Sequence, residues 1–148
     1  MPENFEVLKL EDLKSFPLYA SSKEIIRRYK PYLDPLDLTY TQYLTLMALW
    51  EKKRITVKAL GECLYLDSGT MTPVLKKLEA KGYISRTRSI EDERSVVIEL
   101  TERGMALQNE TGYIPCKVNE QVKLSPDEEL QLNRLLRKLL AGLADGVR

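Results

Sequence analysis

No histidine occurs among the 148 residues. That absence removes Ser-His-Asp and Cys-His nucleophilic catalysis, and with them nearly every zinc constellation. Cysteine is scarce. Cys63 and Cys116 are too few for a disulfide framework and too isolated for a metal site. Each is then either a small buried hydrophobe or a redox-sensitive thiol. No run approaches the roughly 20 apolar residues of a membrane span. The opening segment MPENFEVLKLEDLK mixes acids and bases and has no apolar signal core. The expectation is a cytoplasmic protein with no catalytic residues, no metal, no cofactor and no membrane partner.

With 43% hydrophobic and 30% charged residues, the chain can bury one real core but hardly two. Its net charge of +1 is unevenly spread: residues 52–94 carry a net +4 and the remainder a net −3. A basic middle on a near-neutral chain points to a polyanionic partner, with an ordinary solvated surface as the competing explanation.

A series of helix starts is legible. Ser15 is expected to N-cap a helix with Pro17 in its first turn. Phe16, Tyr19, Ile26, Tyr29 and Leu33 line its apolar face, and Asp34-Pro35 ends it. Thr39 to Gln42 reads as a capping box with Leu38 stapled to Tyr43, and places Leu44, Met47 and Trp50 inward on the next helix. Thr56 caps a short helix holding Val57, Leu60 and Leu64, on which Cys63 reads as core. A turn around Leu66 to Gly69 leads into a helix to about Lys81, stopped by Gly82. Pro73 either bends that helix or marks its first turn.

The period then switches to alternation. Tyr83 to Arg88 and Val96 to Leu100 read as strands joined by a charged tip, Ser89 to Ser95. Thr101 caps a further helix. Ser125-Pro126-Asp127-Glu128 starts a last one, with Leu132, Leu135, Leu136, Leu139, Leu140 and Leu143 on one stripe. Two short helices, a turn and a hairpin make a winged helix-turn-helix: mainly α with a small β-hairpin wing, an α+β chain. The leucine-rich terminal helices lack an evident intramolecular partner, so a homodimer through them is expected.

In this layout residues 68–81 are the recognition helix. Ser68, Thr70, Met71, Thr72, Lys76 and Lys77 are its exposed candidates for a major groove, by hydroxyl and ammonium contact to phosphate or methyl contact to thymine. No Asn, Gln or Arg stands on this helix to read bases bidentately. On the hairpin, Arg86, Arg88 and Arg94 surround Glu91-Asp92-Glu93. Asp92 is expected to brace a neighbouring arginine and leave Arg94 for the minor groove. A solvated helix and a salt-bridged hairpin with no partner are the plainer alternatives.

The run Leu64-Tyr65-Leu66-Asp67-Ser68-Gly69-Thr70-Met71-Thr72-Pro73, followed by Leu75-Lys76-Lys77-Leu78-Glu79, resembles the recognition region of the MarR regulators. Asp92-Glu93-Arg94-Ser95 resembles that family's wing signature, and Leu100-Thr101-Glu102-Arg103-Gly104 its exit from the wing. Phe16 to Glu24 together with Leu38 to Tyr43 is similar to the organic-hydroperoxide repressors, the OhrR branch. The resemblance implies one MarR-type chain over 1–148, with 38–100 as the DNA-binding part and 10–36 and 101–146 as dimerisation helices. It also implies a dimeric repressor on double-stranded DNA, a pseudo-palindromic operator with half-sites about one helical turn apart.

In that branch a cysteine near the start of the first helix reacts with organic hydroperoxide, tyrosines of the partner subunit hydrogen-bond it, and oxidation releases DNA. Tyr19 and Tyr29 match those tyrosines. Ser15 stands at the position of the cysteine, and an alcohol has no accessible anion at neutral pH and no sulfenic chemistry. Three explanations stand open: a deliberate replacement that freezes the DNA-binding form, a natural loss, or sensing moved to Cys116 or Cys63. Cys116 falls in the region where two-cysteine relatives carry a resolving thiol.

Other readings remain beside peroxide control. One is release by a small apolar or phenolic ligand held near Phe16, Met47 and Trp50. A second is a thiol enzyme using Cys116, for which Lys117 is the nearest cation and no general base is evident. A third is a winged helix used only for protein contacts, disfavoured by the basic 52–94 segment and Arg94.

Overall fold

The computed structural model describes residues 7–144. Its elements are α1 (Ser15–Leu33), α2 (Tyr40–Lys52), β1 (Arg54–Thr56), α3 (Val57–Leu64), α4 (Ser68–Ala80), β2 (Ile84–Arg88), β3 (Val96–Leu100), α5 (Glu102–Thr111), α6 (Ile114–Asn119) and α7 (Pro126–Ala144). Single 3-10 turns precede and follow α1. The contacts divide the chain into two compact units, residues 1–115 and 116–148.

Within the first unit, α2 is the central element. Thr39 and Gln42 form the expected capping box: each backbone N–H donates to the other's side-chain oxygen at 3.1 Å. The inward face is set one residue earlier than the sequence suggests. Tyr43, Leu46, Leu49 and Trp50 are buried, whereas Leu44 is half-buried and Met47 exposed. Two amphipathic rings explain the phase. The Tyr43 hydroxyl donates to the Thr111 carbonyl at 2.7 Å, and Trp50 Nε1 donates to the Gly104 carbonyl at 2.9 Å. Both polar tips are satisfied only when that face turns toward α5.

Ser15 is not a cap. Lys14 before it already has helical φ and ψ, and no side-chain cap bond forms. A capping oxygen needs extended backbone at its own residue, and Ser15 lies inside the first turn instead. The caps expected at Thr56 and Thr101 are present, with Ala59 and Gly104 N–H groups donating to the two hydroxyls at 3.1 Å.

The wing is a three-stranded antiparallel sheet in the order β1-β3-β2, not a bare hairpin. Strand β1 is three residues long, too short for its alternation to show in the sequence. It registers Ile55 against Ile98, and Arg54 pairs with Glu99 at 3.2 Å across the ladder. Gly82 stops α4 with φ 78, and Tyr83 N–H returns to the Leu78 carbonyl at 3.0 Å. Gly104 is required for a different reason: a Cβ there would run into the Tyr83 carbonyl oxygen.

Cys63 is exposed, against the expectation of a core position. The inward arc of α3 is drawn by Val57, Leu60, Gly61 and Leu64, and Cys63 falls outside it. In the second unit, Ser125 and Glu128 form the reciprocal cap expected for α7, at 2.9 and 3.2 Å. The α7 leucine stripe is exposed along its whole length. Among the described residues no helix is long and apolar enough to cross a membrane.

Candidate nucleic-acid interface

Asp67 starts the recognition helix. Its Oδ1 accepts from the Thr70 N–H at 2.7 Å, and that bond holds its carboxyl below the ordinary carboxylate range. From this cap, the apolar phase of α4 buries Met71, Leu75 and Leu78. Met71 is fully buried and is withdrawn as a groove-facing candidate: it lies one and two turns from Leu75 and Leu78 on the inward stripe. Ser68, Thr70, Thr72, Lys76 and Lys77 are exposed. The Thr72 hydroxyl donates back to the Ser68 carbonyl at 2.8 Å, so it offers an outside partner only its lone pairs. Pro73 lies six residues into the helix, past the first turn, and removes one main-chain donor there.

The three wing arginines have different fates. Arg86 is held by Glu79 of α4, with Nε and Nη2 each donating to a carboxylate oxygen at 3.0 Å. This fork lowers the Glu79 pKa and raises that of Arg86. Arg86, one of the three hairpin arginines offered for DNA, is therefore engaged inside the chain. Arg88 donates through Nη1 to the Glu93 carbonyl at 3.1 Å and braces the tip. Asp92 braces main chain and hydroxyl rather than a guanidinium. It accepts from the Arg94 N–H at 3.0 Å and from the Ser95 hydroxyl at 3.2 Å. The Arg94 side chain projects from that tied turn, exposed and with no partner among the described residues.

A cleft of about 560 Å³ lies beside α4. It is lined by Asp34, Asp37, Leu38, Gln42, Lys77 and Lys81, among others; Phe16, Met47 and Trp50 are not on its walls. Gln42 is almost fully buried, its carbonyl oxygen serves the cap, and among the described residues no buried side-chain polar atom is left without a partner.

Ser15, Tyr19 and Tyr29 are not brought together within one chain. Ser15 and Tyr29 stand 14 residues apart on α1, about 21 Å along its axis at the usual helical rise. Tyr19 is exposed, with the Lys23 ammonium 5.1 Å from its ring centre. Tyr29 packs on Tyr40 and Tyr43 at centroid distances of 4.8 and 6.2 Å. Burial, reinforced by those two neighbours, pushes its pKa up to about 12. Cys116 is exposed and unpaired. Among the described residues no group of three His, Cys, Asp or Glu could hold a metal ion.

The residues that the sequence did not single out are Glu79, Lys81 and Tyr40. Each acts through a partner in another element, and no local pattern marks such a pair.

Comparison with known proteins gives a consistent result. The profile of the transcriptional regulator SarA/Rot family matches residues 27–111. The organic hydroperoxide resistance transcriptional regulator of Bacillus subtilis (strain 168) is 50% identical over 143 residues, 97% of each chain. The structure of reduced AbfR bound to DNA superposes with a TM-score of 0.77 at 29% identity, covering 90% of this chain and 92% of that one. A mutant MarR from E. coli complexed with operator DNA gives 0.74 at 28% identity, covering 85% and 92%. These relatives are regulators and not enzymes, which removes the thiol-enzyme reading. With its winged helix-turn-helix and this coverage, the chain belongs to the MarR-type transcriptional regulators, alongside the organic hydroperoxide regulators.

Proposed function

We propose that this protein is a homodimeric, cytoplasmic repressor that binds a pseudo-palindromic operator, with α4 in the major groove and the wing tip in the minor groove. The observation that carries this reading is Arg94: its guanidinium is unpaired on a turn tied by Asp92, while Arg86 and Arg88 are both engaged internally. A fixed, free arginine at a wing tip suits the negative potential of a narrow minor groove. Lys76 and Lys77 on α4 supply phosphate contacts, with Ser68, Thr70 and Thr72 beside them. The exposed leucine stripe of α7 supports self-association. So does the distance between Ser15 and Tyr29, because the Tyr29 that meets residue 15 would have to come from a second chain.

Residue 15 is a serine, so peroxide cannot be sensed there, and we assign the chain to peroxide-response genes with its redox site blocked. The experiment is fluorescence anisotropy on a labelled duplex from upstream of the protein's own gene, titrated with an organic hydroperoxide at fixed salt. Tight binding that ignores peroxide, and peroxide-triggered release once Ser15→Cys is made, are the expected results. Reversible release from the Ser15 chain would move sensing to Cys116 or Cys63. A second reading, release by a small ligand, is favoured by the cleft, whose wall includes Gln42. Release by a phenolic acid, lost in Gln42→Glu, is its signature; the glutamate keeps the capping acceptor but removes the donor.

A further inference from the structure

A protein that reads two grooves at once must hold its two reading heads at a set spacing and angle. The heads here are α4 and the wing, and the chain between them is short: Lys81, Gly82 with φ 78, then Tyr83. Main-chain bonds from Gly82 to Glu79 and from Tyr83 to Leu78 close the end of the helix. They do not reach the strand that carries the wing tip. A charged side-chain pair does. Glu79 stands in the last turn of α4, and Arg86 is the third residue of β2, opposite Ile98 in the ladder.

Both carboxylate oxygens of Glu79 accept from the one guanidinium, at 3.0 Å each. Two parallel charge-assisted bonds fix a plane as well as a distance, which a single bond or a lysine does not. The side chains are 29% and 40% exposed, partly sheltered from the screening that weakens surface pairs. Two residues further along β2, Arg88 braces the hairpin tip through the Glu93 carbonyl. A continuous path of fixed geometry thus runs from α4 through Glu79, Arg86 and β2 to the turn that presents Arg94.

We propose that the Glu79–Arg86 fork is a positioning device: it sets the angle between recognition helix and wing, so that helix and Arg94 engage their two grooves in one register. This rests on the DNA-binding reading above and adds that Arg86 acts through Glu79 and not on the nucleic acid.

The test uses the full chain and the duplex that the wild type enriches from a random-sequence pool. Glu79→Gln and Arg86→Lys are each expected to bind that duplex about tenfold more weakly, the loss expected for a charge-assisted bond. The salt dependence of binding should stay unchanged, since no phosphate contact is lost. Hydroxyl-radical footprints should lose the minor-groove protection at the outer edges of the site, while major-groove protection under α4 persists. A purely structural role would shift both protections together with the melting temperature. The exchange Glu79→Arg with Arg86→Glu should restore the minor-groove footprint. The proposal is overturned if Glu79→Gln binds more tightly, or if Arg86→Lys binds like wild type with both grooves protected. It is equally overturned if Arg86→Gln lowers the salt slope by about one unit, the mark of a direct phosphate contact. A wild type that enriches no sequence would instead remove the DNA reading itself, before any variant is compared.

Discussion

Lys81, at the end of the recognition helix, holds Asp37 of the α1–α2 connection twice: its ammonium donates to the Asp37 carbonyl and pairs with the Asp37 carboxylate at 3.3 Å. Asp37 sits in a left-handed conformation with φ 53, directly after the 3-10 turn that ends α1. On the other flank of the same helix, Glu79 holds Arg86 of the wing. The recognition helix is thus tied laterally on both sides, to the segment that carries α1 and to the segment that carries Arg94.

Cutting the first tie should be mild. Lys81→Met should lower stability by about 0.5–1.5 kcal/mol, the net worth of a typical hydrogen bond, because the Asp37 carboxylate is nearly fully exposed and adds little. Urea unfolding of the two proteins checks this, and an equal midpoint would mean that the tie is idle.

Met71 and Lys76 should separate stability from binding. Met71→Ala removes a fully buried side chain and should cost about 2–5 kcal/mol of stability. Lys76→Ala should leave the melting temperature in place and reduce the salt slope of DNA binding by about one unit. Paired thermal melts and salt titrations would show the opposite pattern if Met71 faced the groove.

Arg94→Ala should weaken operator binding substantially with little change in stability, since the side chain has no internal partner. Unchanged affinity at several salt concentrations would remove the wing from the interface.

Gly104→Ala should destabilise the first unit severely. The added Cβ meets the Tyr83 carbonyl oxygen, which is backbone and cannot swing away. The same glycine's carbonyl accepts from Trp50, the single tryptophan, so fluorescence reports the displacement directly. A wild-type emission spectrum and melting curve would contradict this packing.

Tyr29 should resist ionisation. Its folded pKa of about 12 exceeds the ordinary tyrosine value of 10.0, so the folded state keeps a proton that the unfolded state loses. The stability held by the neutral phenol is complete below about pH 10 and is lost as pH rises toward 12. Burial is the main cause, with charge repulsion from the Tyr40 and Tyr43 phenols behind it, so Tyr29→Phe should flatten that part of the stability profile. Absorbance titration near 295 nm, with denaturation midpoints from pH 9 upward, measures both effects.

Much of the fold was legible because its signals are local. The capping pairs Thr39 with Gln42 and Ser125 with Glu128 lie three residues apart, and Gly82 marks a stop that most side chains resist. The alternation of Ile84 to Arg88 announces a strand without reference to anything distant. The family resemblance rests on contiguous runs in the same way. In α2 the deciding partners are remote in sequence. Trp50 and Tyr43 chose the phase of α2 through carbonyls on α5, so Met47 turned outward. Met71 belongs to the inward stripe that Leu75 and Leu78 mark four and seven residues on, a local signal that its methyl-bearing side chain masks.

The sequence by itself determined the order of the longer helices and the hairpin strands, the caps at Thr39, Thr56, Thr101 and Ser125, the basic centre and the serine at residue 15, because each is written in neighbouring residues or in composition. Tertiary structure alone decided which cations are free to meet a partner. Arg86, Arg88 and Arg94 look alike as letters in one hairpin. Only the folded chain brings the Glu79 carboxylate to the first and the Glu93 carbonyl to the second, and leaves the third unpaired, because charge pairing depends on distance in space, not on separation along the chain.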